Sequence, residues 1–146
     1  LHASVLPNGP DLLPTGDLPA SPTCLAYNSY IISQCACAPY AVGTASVLPC
    51  FWVYADVAGI LARKASAALR DDPHHPYAQW IAEYDGDAYR SEVEVARGNV
   101  DEAAAESTPA VRQQMIEAFR TASTYEYLFW DSAEHRNPWP DFSGRR

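Results

Sequence analysis

A proline and a cysteine interrupt the apolar run SVLPCFWVYADV, Ser46 to Val57. On a helix Cys50 shares a face with Tyr54 one turn on and Val57 two turns on, so an aromatic hydroxyl lies beside the thiol. The spacing admits two readings. Free cysteine packs as a small hydrophobe; a nucleophilic thiolate needs a cationic, metal or acid–base neighbour, which spacing does not reveal. A second chemical residue stands at Glu126. Walking the last helix by threes and fours gives Val111, Met115, Phe119, Ala122, Glu126, Phe129 and Ala133, a stripe with a carboxylate among hydrocarbons. An unpaired carboxylate in an apolar interior is costly, so Glu126 must be paired, hydrogen-bonded or protonated, the last being the state of a general acid. Alternatively the stripe drifts, and Glu126 reaches solvent or an arginine of another helix. Tyr27, Tyr30, Tyr54, Tyr84, Tyr125, Tyr127, Phe129 and Trp130 come from four predicted helices. They suit either a pocket for a flat heteroaromatic ligand or an aromatic-rich core.

Every element that must position these residues reads as helix. Thr23 can cap CLAYNSYIISQCACA, and Pro39 breaks that pattern. A long apolar helix follows from Tyr40 to about Leu69, with a kink expected at Pro49 because the ring removes one backbone hydrogen bond. Beyond the loop RDDPHH, Pro76 opens a short helix in which Tyr77, Trp80, Ile81 and Tyr84 form an amphipathic stripe. Asp87 can cap a helix to about Ala105, with a break expected at Gly98–Asn99. Thr108 and Pro109 supply a cap and a first-turn proline for the last helix, to about Arg136. Neither a hairpin signal nor an alternating run occurs, so the expected fold class is all-α.

The chain has 146 residues, 48% hydrophobic and 19% charged, which suits one globular domain. Ten Lys and Arg against 18 Asp and Glu give a net charge of −8, which argues against nucleic acid or an anionic membrane as partner. Pro49, Asp56 and Gly59 break the apolar run Ala45 to Ala62, so a core helix is expected there rather than a membrane span. Residues 1–22 read as a helical stub, Leu1 to Leu6, and a proline-rich linker; 23–140 form the helical domain and 141–146 a tail. No basic region followed by an apolar one opens the chain, and the expected compartment is the cytoplasm. Cys24, Cys35 and Cys37 are expected to be free buried thiols. Cys35 and Cys37 have C-x-C rather than zinc-knuckle spacing, and His2, His74, His75 and His135 are scattered, so no metal is expected.

The segments SPTCLAYNSYI, LPCFWVYADV, HPYAQWIAEYDGD and ASTYEYLFWDSA, in that order, resemble the thiaminase II (TenA) family of thiamin salvage, over Ser21 to Pro140. The resemblance implies a heme-oxygenase-like helical bundle, a homotetramer, and no metal or organic cofactor. It also implies hydrolysis of aminopyrimidines from thiamin breakdown, chiefly 4-amino-5-aminomethyl-2-methylpyrimidine to the hydroxymethyl compound with loss of ammonia; many members also split thiamin. The cysteine of LPCFW implies Cys50 as nucleophile, and the glutamate of TYEYLFW implies Glu126 as the acid toward the ring. Tyr27, Tyr54 and Tyr84 match tyrosines that line the pocket, and Phe129 matches a phenylalanine against the ring.

Family members carry further helices before the matched region, one of them with an aspartate that holds the pyrimidine. Neither Asp11 nor Asp17 takes that role on motif evidence, and those first helices are expected to be lacking here. A catalytically silent TenA-like pyrimidine-binding or assembly subunit is therefore the alternative function. A heme- or metal-dependent relative is disfavoured, since His2 and His135 stand outside any ligand-like arrangement.

Overall fold

A computed structural model describes residues 20–72, 74–75, 77–135 and 137–140; the expected stub at Leu1 to Leu6, the linker to residue 19 and the tail from residue 141 lie outside them. The described residues form six helices with no strand among them: α1 Pro22–Cys37, α2 Tyr40–Val47, α3 Pro49–Asp71, α4 Ala78–Asp85, α5 Asp87–Ala105 and α6 Pro109–His135. They fall into two compact units. Among the described residues one takes 50–99 and the other 20–49 with 100–140.

In the second unit the helix ends follow local chemistry. Ser21, not Thr23, caps α1: its hydroxyl accepts from the Cys24 amide at 3.2 Å, and Pro22 takes the first helical position. That proline needs no amide partner there, which is why the cap falls two residues earlier than the threonine suggests. Extended Ala38 ends α1 before Pro39, whose ring disfavours helix in the preceding residue. Thr108 caps α6 as its position predicts, its Oγ1 accepting from Val111 N at 3.3 Å. The carbonyls closing α5 are satisfied too: Ser107 Oγ donates to Ala103 O at 2.7 Å, and Arg112 Nη1 to Ala104 O at 3.2 Å.

Helices α1, α2 and α6 pack on one another in this unit. Their core is built of small residues: Ala41, Val42, Ala45, Ala103 and Ala118 surround Met115, the largest side chain of the cluster. Small side chains let backbones approach, and at Gly43 an added Cβ would lie 3.3 Å from the Cys35 Cα of α1. The expectation of buried thiols does not hold. Cys35 and Cys37 are exposed and Cys24 only half-buried; at the close α1–α2 approach it is the Cys35 backbone that meets Gly43, with the Cys35 Sγ at its edge, 4.0 Å from Gly43 O. Ser46 is fully buried, and its hydroxyl is satisfied within the helix by donating to Gly43 O at 2.7 Å.

The predicted interruption at Pro49 is a break of one residue, Leu48, which keeps helical dihedrals. The run Tyr40–Asp71 spans 32 residues and is long and apolar enough by composition to cross a membrane. Its α2 part is instead spent on the core, with Ala41, Val42, Gly43, Ala45 and Ser46 buried. The break expected at Gly98–Asn99 does not form: α5 runs through both residues. Tertiary packing does not require a bend there, since nothing lies within 4 Å of a Cβ placed on Gly98. Asp87 is the first residue of α5 rather than its cap; Tyr77 immediately precedes α4, and Pro76, expected to open that helix, lies outside the described residues.

Two glycines therefore have opposite consequences. Gly43→Val should destabilise the fold by about 1–3 kcal/mol, because the added atoms meet backbone that cannot swing aside. Gly98→Ala should stabilise it by about 0.5–1 kcal/mol, the ordinary helix-propensity gain at an open position. Urea unfolding followed by circular dichroism reads both, and equal effects would contradict the packing described.

Candidate active site

The α6 stripe puts a carboxylate into the core. Met115, Ala118, Ala122, Glu126 and Ser132 are its buried residues, with Glu126 only 3% exposed. The stripe differs from the sequence reading at its end, where Ser132 is buried and Ala133 exposed. Seven residues keep Ala133 within about 20° of Glu126 on an α-helix, so the difference is set by what packs around the end of α6 and not by helical phase. The Ser132 hydroxyl donates to Phe129 O at 2.9 Å and so enters the interior without an unpaired group.

Glu126 has one dedicated partner. Tyr27, the one buried residue of α1, donates its hydroxyl to Glu126 Oε1 at 2.8 Å, an ordinary length for an O–H···O bond. The other oxygen, Oε2, is buried with no hydrogen-bond partner in the structure. Leaving a buried acceptor unmatched costs about 1–3 kcal/mol, so Oε2 is the polar atom of this unit whose chemistry the fold itself does not use. Tyr125, the residue before Glu126, stacks on Tyr27 with ring centroids 5.5 Å apart and planes at 14°. Tyr30 tilts against the same Tyr125 ring at 5.5 Å and reaches Ala118 O with its hydroxyl at 3.5 Å. Phe129 is half-buried one turn beyond Tyr125, whereas Tyr127 is 68% exposed and lines nothing inside this unit.

The other predicted residues fall in the first unit. Cys50 is half-buried in the first turn of α3, and Tyr54 follows one turn later. Tyr54 meets Tyr84 at 5.4 Å and Trp80 at 6.4 Å, and Trp80 meets Tyr84 at 4.8 Å. Tyr89 closes this aromatic group edge-on to Tyr84 at 4.9 Å, and its hydroxyl donates to Phe51 O at 3.2 Å, the carbonyl next to Cys50. The α4–α5 corner holds these rings in place. Arg90 Nε donates to Asp85 O at 3.0 Å while its Nη2 pairs with the Asp85 carboxylate. Gly59 of α3 makes room for the clamp: a Cβ there would stand 3.0 Å from Arg90 Nη2 and 3.3 Å from Asp85 Oδ1.

The structure thus brings Tyr27 to Glu126 in one unit and Tyr54 to Tyr84 in the other, each with an aromatic neighbour the motifs did not assign. Trp80 reads in the sequence only as one step of an amphipathic stripe. Tyr89 lies across the Asp85–Gly86–Asp87 turn, where helical periodicity is interrupted and no spacing rule relates it to Tyr84. For Tyr125 a signal was present: Tyr27 and Tyr30 are three residues apart on one face, and a ring beside Glu126 can sit between them.

Residues 18–136 match the TENA/THI-4/PQQC family. Over 83% of its length the chain is 38% identical to an aminopyrimidine aminohydrolase of Bacillus subtilis, of which the match covers 49%. Over 91% of its length it is 32% identical to a thiamine biosynthesis multifunctional protein of Corynebacterium efficiens, covering 17% of that protein. An aminopyrimidine aminohydrolase of Helicobacter pylori is 30% identical over 74% of the chain and is covered to 48%. The chain spans about half the length of the curated aminohydrolases it matches. Helices throughout, with no strand among the described residues, are the heme-oxygenase-like architecture of these relatives' family, and by the match over residues 18–136 the chain belongs to the TENA/THI-4/PQQC family.

Proposed function

We propose that the chain carries the hydrolytic chemistry of an aminopyrimidine aminohydrolase: 4-amino-5-aminomethyl-2-methylpyrimidine and water give the hydroxymethylpyrimidine and ammonia. The observation that carries this reading is the buried Glu126, with Oε1 occupied by Tyr27 and Oε2 left without a partner. Oε1 accepts from the tyrosine, so a proton on the carboxyl belongs on Oε2, which then donates to a ring nitrogen of the pyrimidine. The similarity to named aminopyrimidine aminohydrolases supports the substrate class.

A ring nitrogen that receives a proton or a strong hydrogen bond withdraws electrons from the ring and opens it to addition. Cys50, as thiolate, adds to the ring and forms a carbon–sulfur bond. The ring's electron pair then expels the amine, which leaves as ammonia once protonated, and an exocyclic methylene remains. Water adds at that methylene and loses a proton. Finally the carbon–sulfur bond breaks, the thiolate departs, and the aromatic ring is restored. One hard displacement becomes two easier steps, which is the general gain of covalent catalysis. Tyr54 and Tyr84 orient the thiol or the ring, and Phe129 packs against the ring.

The reading includes thiamin itself as a further substrate, a homotetramer, a cytoplasmic setting, and no metal or organic cofactor; the family resemblance supports each of these. A small-molecule pyrimidine is the partner, and the charge of −8 disfavours nucleic acid and anionic membranes.

Ammonia release from the aminomethylpyrimidine, measured on the purified chain, is the test. Cys50→Ser should bring release to background. Glu126→Gln keeps the shape and the acceptor for Tyr27 but cannot pass a proton, and should lower kcat by about 10²–10⁴-fold. Wild-type chain that binds the pyrimidine without releasing ammonia would replace this reading with that of a silent pyrimidine-binding subunit.

A further inference from the structure

The stack around Tyr27 has a role in the chemistry assigned above. We infer that Tyr125 is a positioning residue: by clamping the Tyr27 ring it fixes the hydroxyl on Oε1 and thereby leaves Oε2 as the oxygen offered to substrate. This inference rests on the catalytic reading of Glu126.

The geometry carries the argument. Tyr27 is 6% exposed and its ring lies nearly parallel to Tyr125, with planes at 14°. A phenolic oxygen sits at the far end of its ring, so rotation about the ring axis leaves it in place, whereas rotation about χ1 sweeps it through several ångströms, on the order of the ring's own length. A second ring against the face of the first blocks that sweep. Tyr125 is itself held, since Tyr30 tilts against it at 5.5 Å, with its hydroxyl 3.5 Å from Ala118 O of α6. Tyr27 and Tyr30 belong to α1, and Tyr125 to α6. The three rings thus lock the donor helix to the acceptor helix at the turn that carries Glu126. Were the Tyr27 hydroxyl free to move, either carboxyl oxygen could take it, and the proton-bearing oxygen would no longer face one direction.

Side-chain rotamer mobility and a mutant cycle test the clamp. The χ1 mobility is read by NMR, from three-bond χ1 couplings and Cβ order parameters on selectively labelled tyrosine, and kcat and KM by ammonia release. In the wild-type protein Tyr27 should hold one χ1 rotamer while exposed Tyr127 averages over several. Tyr125→Leu should bring Tyr27 into χ1 averaging and lower kcat about three- to tenfold, with KM within about twofold. Tyr125→Phe keeps the ring and should restore both. The double variant Tyr27→Phe with Tyr125→Leu should be no slower than Tyr27→Phe alone, because Tyr125 acts through Tyr27.

A wild-type Tyr27 that averages over χ1 rotamers as Tyr127 does overturns the clamp even if Tyr125→Leu does not fold. Additive losses in the double variant overturn its action through Tyr27. Glu126→Gln at full activity overturns the catalytic reading and with it the positioning role, whereas an inactive Glu126→Gln beside an unaffected Tyr125→Leu overturns the clamp alone.

Discussion

A carboxylate only 3% exposed, with one oxygen hydrogen-bonded to a tyrosine of another helix and the other unmatched, constrains everything around it. Such a group persists only if the fold around it is stable without its help. The α1–α2–α6 packing meets that condition through small residues. Ala122, one turn before Glu126, is fully buried, and Ala118 is 3% exposed. Ala118 packs in one cluster with Ala41, Val42 and Ala45 of α2, so this face of α6 is held by contacts that involve neither Glu126 nor Tyr27.

In the residue 50–99 unit the constraint is a corner rather than a charge. The α4–α5 turn is only Gly86 long, and Tyr84 and Tyr89 flank it. Arg90 folds back over Asp85, and the missing Cβ of Gly59 allows the clamp to lie against α3. That clamp is more than a third exposed at the arginine, and solvent screens it, so its worth is geometric rather than energetic. It fixes the angle at which Tyr89 meets Tyr84 and lets Tyr89 reach the Phe51 carbonyl. Similarly, Arg97 lies over the Trp52 ring at 4.2 Å while pairing with Glu94, and so pins α5 to the first turn of α3.

Helix content was legible because it rests on local rules: proline at first turns, caps, and threefold or fourfold apolar spacing. Glu126 was legible as an anomaly in a stripe, though periodicity alone left its burial open. Exposure of Cys35 and Cys37 was not legible, since it depends on which face of α1 the other helices cover, and spacing alone does not reveal that. Tyr89 was hidden for a related reason: a turn resets the helical phase, so residues on its two sides have no spacing rule in common. Thr23 misled because a threonine two residues past a serine is an equally good cap by type, and only the proline between them favours the serine.

The unmatched Oε2 sets stability against chemistry at one atom. Replacing Glu126 by a hydrocarbon would relieve about 1–3 kcal/mol of desolvation cost, yet it would also remove the acceptor to which Tyr27 donates at 2.8 Å. The two residues are therefore coupled, and changing one alters what the other contributes. A fully apolar pair would pack at least as well, as buried ionic groups elsewhere have shown when replaced by hydrocarbon. Packing gives no reason for a glutamate here. Under the proposed reading, a nitrogen heterocycle that supplies the missing partner to Oε2 gives one.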